Sequence, residues 1–310
     1  MRRVRWALLA AFGALVVAML ALAGTAWAQA DQEGWVEPRV VGGTPVPDGK
    51  YPFMASLQYD REGTAPRRDH FCGGTLISPF HVLTAAHCAE VVGEGPAEDP
   101  EQFVVPLEDF RVVVGGTTLN GDDGRVRTIS ELSQIFIHPR WEPPAGAFAH
   151  DVAVLELDRP VRGIAPIRLA TTGTDALERP GRLATVTGWG NTIAQPVGPG
   201  PGLGLFDGPN RMREAQVPIV SDEECEAVYG GDLSPRLAVC AGRTNLDTCQ
   251  GDSGGPLFVP VSRGFRQIGV TSFGFGCGEI GFPGVYTQVS ALSVGNFIQR
   301  VTGGVPVPVG

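Results

Sequence analysis

Beyond Val40 the apolar residues come in short runs with turn residues between them: Phe53–Gln58, Gly74–Ile77, Arg111–Val114, Val152–Leu157, Leu183–Thr187, Gln267–Ser272 and Gly284–Val289. Runs this short, rich in Val, Ile and Leu, read as strands of sandwiches or barrels. Only Ala291–Val301, with Leu292, Phe297, Ile298 and Val301 at roughly helical spacing, reads as a helix of more than two turns. An acidic insert, Glu90–Asp109, and a Gly/Pro-rich stretch, Ala194–Asn210, interrupt the pattern and read as surface loops. The tail Gly303–Gly310 alternates Val with Pro and reads as extended chain.

The N-terminus follows a different pattern. Arg2, Arg3 and Arg5 precede an apolar run from Trp6 to Ala23, followed by small residues at Ala26-Trp27-Ala28 and Ala28-Gln29-Ala30. This predicts a secretory signal peptide over residues 1–28, cut after Ala28 or Ala30. An uncleaved anchor is the alternative, because the run reaches the lower edge of a membrane span. No later stretch is apolar enough for one, so no membrane contact is expected after signal removal, and a secreted, extracellular protein is.

Composition sharpens the class. Gly (43) and Pro (26) make up over a fifth of the 310 residues, which favours many short strands and turns and hence an all-β fold. The formal charge is -9, from 24 basic and 33 acidic residues, so the basic excess that nucleic acid would require is missing. Export makes disulfides the expected state of the six cysteines, Cys72, Cys88, Cys225, Cys240, Cys249 and Cys277. Their wide spacing, without a C-x-x-C, argues against a zinc site, and spacing alone leaves the pairing open. No metal or cofactor is expected.

Candidate chemistry concentrates in Cys249-Gln250-Gly251-Asp252-Ser253-Gly254-Gly255-Pro256. A Ser between glycines suits a tight turn in which the N–H groups of Gly251 and Ser253 approach a substrate carbonyl, the geometry of an oxyanion hole. A serine hydroxyl needs a base, and the base needs an orienting carboxylate. His87, in Thr84-Ala85-Ala86-His87-Cys88, is the best base. Asp151, opening the apolar run Val152–Leu155, is the best carboxylate, because an acid beside such a run is drawn into burial and requires a donor.

These motifs, in the order His, Asp, Ser, resemble the trypsin/chymotrypsin family of serine endopeptidases over about residues 40–302. Arg39-Val40-Val41-Gly42-Gly43, Thr187-Gly188-Trp189-Gly190 and Pro283-Gly284-Val285-Tyr286 carry the resemblance further. It implies two six-stranded antiparallel β-barrels with a C-terminal helix, and disulfides Cys72–Cys88, Cys225–Cys240 and Cys249–Cys277. It implies catalysis by Ser253, His87 and Asp151 through an acyl-enzyme, with Ser272 supporting Asp151 and binding substrate backbone. Asp247, six residues before Ser253, matches the floor of a specificity pocket for Arg or Lys, with Gly274 and Gly284 as walls. Phe148 and Phe273 are candidates for subsites on the acyl side.

Arg39-Val40 resembles an activation junction. Residues 29–39 would be a propeptide, and cleavage would free the Val40 amine to pair with Asp252. His70 matches a position near this switch. The loop Thr117–Arg127 departs from calcium-binding relatives, so no calcium site is carried over despite Asp122 and Asp123. The expected partners are protein or peptide substrates bearing Arg or Lys, and proteinaceous protease inhibitors; the expected subunit state is a monomer. A trypsin-fold binding protein without catalysis is the alternative.

Overall fold

A computed structural model of the chain describes residues 40–60, 69–90, 109–123, 128–142, 148–193 and 208–303. The signal and propeptide segments with Arg39, the interior of both inserts, the end of the Thr117–Arg127 loop and residues 304–310 lie outside the described residues. Among the described residues no helix is long and apolar enough to cross a membrane.

After β1 (Thr44–Pro45) the chain builds a first sheet from β2 (Met54–Tyr59), β3 (His70–Ser78), β4 (His81–Thr84), β5 (Phe110–Val114), β6 (Thr128–Ser130), β7 (Leu132–Ile137) and β8 (Ala153–Leu157). Their spatial order is β6-β5-β2-β3-β4-β8-β7, antiparallel throughout. The second sheet uses β9 (Arg168–Leu169), β10 (Leu183–Gly188), β11 (Arg213–Pro218), β12 (Ala238–Ala241), β13 (Pro256–Val261), β14 (Gly264–Phe273) and β15 (Gly284–Gln288). It runs β1-β11-β10-β13-β14-β15-β12, with β9 parallel to β14. The expected six strands per barrel are recovered on inspection. β6 and β7 flank the single residue Glu131, and β1 and β9 are two-residue additions to six longer strands.

Each sheet curls around its own apolar interior. Leu57, Leu76, Val82, Val112 and Leu155 share one face of the first; Val186, Val217, Leu257, Val259, Ile268 and Tyr286 fill the second. Where the barrels meet, Tyr51 and Phe53 pack edge-on against Phe258, with centroids 5.1 and 5.7 Å apart, and Phe265 closes the group. Edge-on packing of several rings gives a rigid seam beneath the cleft.

Among the described residues three α-helices complete the fold: α1 (Ala86–Ala89), α2 (Asp222–Tyr229) and α3 (Leu292–Val301). In α3 the buried stripe is Val294, Phe297 and Ile298, continued by Val301, an i, i+3, i+4, i+7 pattern. Leu292, read from the sequence as part of that stripe, is instead 65% exposed, because it lies in the first turn on the opposite face. α2 is a helix of just over two turns that apolar periodicity does not reveal, so the terminal helix is not alone in that length. The disulfides are Cys72–Cys88, Cys225–Cys240 and Cys249–Cys277, the pairing the resemblance implies.

Candidate active site

α1 follows β4 directly, and its single turn carries His87 at the mouth of the cleft. Cys88 bonds to Cys72 in β3, which ties the turn to the neighbouring strand. Asp151 precedes β8 and follows His150, whose φ of 61° places it in the left-handed region. The carboxylate is fully buried. Its Oδ2 accepts from His87 Nδ1 at 2.8 Å and from Ser272 Oγ at 2.6 Å, and its Oδ1 accepts from the His87 backbone N–H at 3.0 Å. Thr287 of β15 donates to the Asp151 carbonyl at 2.8 Å. The first barrel supplies the acid and the second barrel clamps it.

Burial alone would favour a neutral imidazole and a protonated acid. The opposite charges and their hydrogen bonds outweigh it, holding His87 above the ordinary imidazole value and Asp151 below the carboxylate one. His87 Nδ1 is therefore held by Asp151, while its Nε2 lies 3.6 Å from Cys88 Sγ. Among the described residues no hydrogen bond joins Ser253 Oγ to His87, a contact that commonly tightens only when substrate is bound.

Ser253 sits in a turn held by main-chain bonds. Gly73 N–H of β3 donates to the Ser253 carbonyl at 2.7 Å, Gly254 N–H donates to Thr271 O at 2.8 Å, and Gly255 N–H donates to Asp252 O at 2.9 Å. Gly254, at φ 77°, could carry no side chain: a Cβ there would lie 2.2 Å from Thr84 Oγ1 and 2.5 Å from Gly73 O. Gly251 has φ 94°. Among the described residues the N–H groups of Gly251 and Ser253 donate to no protein acceptor, which leaves two donors for an incoming oxygen. On the inner side, His70 Nε2 lies 3.0 Å from the Gly251 carbonyl.

Asp252 points away from the cleft into the second barrel. Its carboxylate accepts from Gly190 N–H at 2.8 Å and Cys249 N–H at 3.0 Å, and burial pushes its pKa up to about 6. A Cβ on Gly188 or Gly190 would approach it to 2.2 and 2.4 Å, which explains the two glycines around Trp189. Val40 is fully buried in the second core, and Val41 O accepts from Asp247 N–H at 3.3 Å. Val41 thus contacts the backbone of Asp247, at the base of the neighbouring cavity.

That cavity, about 170 Å³, opens beside Ser253 between the Asp247–Gln250 segment and residues Thr271–Gly274 at the end of β14. Asp247 is buried at its base, accepting from Thr248 N–H at 2.8 Å and Gly278 N–H at 3.1 Å. Burial outweighs these bonds, and its pKa is pushed up to about 7. A Cβ on Gly284 would lie 2.6 Å from Asp247 Oδ1, so only glycine keeps the base open; Gly274 borders the mouth. The outer wall is braced by Cys249–Cys277 and by Tyr229 of α2, which donates to Pro283 O at 2.6 Å. At the rim Phe148 stacks on Phe273 at 4.5 Å.

Sequence reading missed Gly73, Thr84 and Thr287. Their contributions are bonds between segments far apart in the chain, for which no local signal exists. Asp123 of the Thr117–Arg127 loop is engaged by the N–H groups of Thr117 and Thr118.

Two barrels with a buried Asp–His pair, a glycine-bound Ser and an acid-floored cavity in the cleft define a serine-hydrolase class. The family model described as Trypsin matches residues 40–295. The trypsin of Saccharopolyspora erythraea is 39% identical over 254 residues, covering 81% of this chain and 94% of that protein. The trypsin-like protease of Streptomyces glaucescens is 32% identical over 287 residues, covering 92% and 89%. The venom serine protease Bi-VSP of Bombus ignitus is 36% identical over 266 residues, covering 82% and 66%. The chain belongs to the trypsin family and is a trypsin-like serine endopeptidase.

Proposed function

We propose that this endopeptidase is secreted, made as a zymogen with residues 29–39 as propeptide and 40–302 as protease domain, and cleaves after Arg or Lys through an acyl-enzyme on Ser253. His87 Nε2 takes the hydroxyl proton as Ser253 Oγ attacks the carbonyl, and returns it to the leaving amine. Asp151 fixes the tautomer and stabilises the imidazolium, with Ser272 completing its hydrogen bonds. The tetrahedral oxyanion is received by the Gly251 and Ser253 N–H groups. Water, deprotonated by His87, then releases the acyl group.

The observation that carries the specificity is the buried carboxylate of Asp247, which has main-chain donors on two sides and no described cation beside it. A guanidinium or ammonium entering the cavity supplies that cation, whereas an apolar side chain leaves the acid buried and uncompensated. Thr248 Oγ1, 3.3 Å from the Tyr286 hydroxyl, stands beside it for either cation, and a weak preference for Arg is expected. Cleavage after Arg39 would release an ammonium at Val40, and the buried Asp252 is the acid it would neutralise. Because Arg39 itself suits the pocket, the enzyme is a candidate activator of its own precursor.

The test is kcat/KM on matched peptides ending in Arg, Lys, Phe or Leu. Arg and Lys should exceed the apolar residues by about 10⁴, and Asp247→Ser should remove most of that difference. Equal rates after Phe and Arg in the wild-type enzyme would reject Asp247 as the specificity group.

A further inference from the structure

The inner side of the oxyanion turn is reached by a row of polar side chains that crosses three strands of the first sheet. Gln58 of β2 lies opposite Arg111 of β5 and, after the bulge at Leu57/Gln58, opposite His70 of β3. Ser56, two residues earlier, shares its face. Arg111 Nε lies 3.2 Å from Gln58 Oε1, Gln58 Nε2 lies 2.9 Å from Ser56 Oγ, and Ser56 Oγ lies 2.8 Å from His70 Nδ1. His70 Nε2 then meets the Gly251 carbonyl at 3.0 Å. At the outer end Arg111 Nη1 bonds Asp60 Oδ1 at 2.7 Å near the surface. Ser56, Gln58 and His70 are all buried.

We propose that Gln58 and Arg111 are positioning residues for the oxyanion site, setting the ring tautomer of His70 and through it the orientation of the Gly251 peptide. The inference rests on Gly251 and Ser253 serving as the oxyanion donors. Each link in the row has a single permitted direction. A guanidinium has no acceptor, so Gln58 must turn its carbonyl to Arg111 and its amide to Ser56. Ser56, accepting that amide, gives its own proton to His70 Nδ1. The ring is then protonated at Nε2, the form that donates to a carbonyl. Burial lowers the His70 pKa to about 4, so the ring stays neutral over the working range and its tautomer is set by these neighbours.

The turn needs such a hold because Gly251 has no side chain to restrict it. With the Gly251 carbonyl pinned by His70, the Gly251–Asp252 peptide that lies between the two donor N–H groups is held in place. The bulge matters for the same reason: it brings His70 into register with Gln58.

Gln58→Glu is the discriminating variant. It preserves shape and the contact with Arg111 but offers Ser56 only acceptors, so the Ser56 proton turns toward Glu and Nδ1 loses its donor. Ring ¹⁵N NMR of histidine-labelled enzyme from pH 5 to 8 reads the tautomer directly. The wild-type His70 signals should be those of the neutral Nε2–H form. In Gln58→Glu the ring should carry a proton on Nδ1, with kcat lowered about tenfold and KM held within about twofold, as expected for a misaimed oxyanion donor. Arg111→Met, which frees the Gln58 amide to flip, should show a mixture of tautomers and a smaller loss of kcat. Unchanged His70 signals in both variants, or a changed tautomer with wild-type kcat, would overturn the proposal. If Gln58→Glu does not fold by thermal melt, Arg111→Met decides. Acylation of Ser253 followed on the same samples should slow together with kcat; the tautomer signal does not depend on activity and is therefore read separately from the oxyanion reading.

Discussion

The cleft holds two buried acids driven in opposite directions. Asp151 overcomes burial through His87 and Ser272 and stays ionised, whereas Asp247 gains too little from two main-chain donors and rises to about 7. On the proposed roles, attack on a cationic ester needs two groups deprotonated in the free enzyme, His87 as base and Asp247 as partner. Below about pH 6, log kcat/KM for an Arg ester should climb with a slope approaching two, while inactivation by a small uncharged fluorophosphonate should climb with a slope of one. Asp247→Ser should reduce the first slope to one. Initial rates from pH 4.5 to 8.5 check this, and equal slopes for both reagents in the wild-type enzyme would show that Asp247 is ionised throughout. The candidates Ser253, His87 and Asp151 stand out in the sequence because their chemistry shows locally: glycines around a serine, small residues before a histidine, an acid at the edge of an apolar strand. Asp247 was legible only through the family resemblance, since nothing beside it signals burial. Gln58 and Arg111 read as ordinary polar positions within strands, and their meeting with His70 depends on the register of three strands and one bulge.

At the scale of elements, the fold follows its apolar runs closely where strands are buried on both sides, as in β8, and poorly where burial is one-sided or the segment is polar. α2 is the clearest case. It buries only Cys225 and Tyr229, too sparse a stripe to announce a helix, yet its start is written in Ser221-Asp222-Glu223-Glu224. Ser221 Oγ accepts from Glu224 N–H at 3.2 Å, and three acids occupy the first turn, where they favour the helix dipole. Ser221→Ala should cost about 1 kcal/mol in urea unfolding. Its effect on kcat should be small, because Cys225–Cys240 keeps α2 attached to β12. The loop after β10 is less forgiving. Gly190→Ala would drive a methyl into the Asp252 carboxylate, and should cost about 1–3 kcal/mol and most of the activity. Retained activity in Gly190→Ala would mean that Asp252 has room to move without disturbing Ser253.

For the whole molecule, the activation proposal has a thermodynamic signature. In the uncut chain Asp252 is buried with main-chain donors, its pKa raised from 3.8 to about 6. A group raised in the folded state stabilises fully below its unfolded pKa, and that stabilisation is lost as pH rises through the folded value. Uncut Arg39→Gln protein should therefore lose about 2 kcal/mol from this group between pH 4 and 7. A chain beginning at Val40, with an ammonium beside Asp252, should lose much less. Urea titrations of both forms in a Ser253→Ala background, which prevents self-digestion, make the comparison; parallel pH dependences would reject the Val40–Asp252 pairing. The central claim joins the nucleophile to the acid-floored cavity, and a guanidinobenzoate ester tests both at once because its cation must enter the cavity for its carbonyl to reach Ser253. Intact-mass and peptide-map analysis of the chain beginning at Val40 should find one acyl group per molecule, on Ser253, none in Ser253→Ala, and acylation slowed by orders of magnitude in Asp247→Ser. An acyl group on another residue, or none in the wild-type enzyme, would contradict the account.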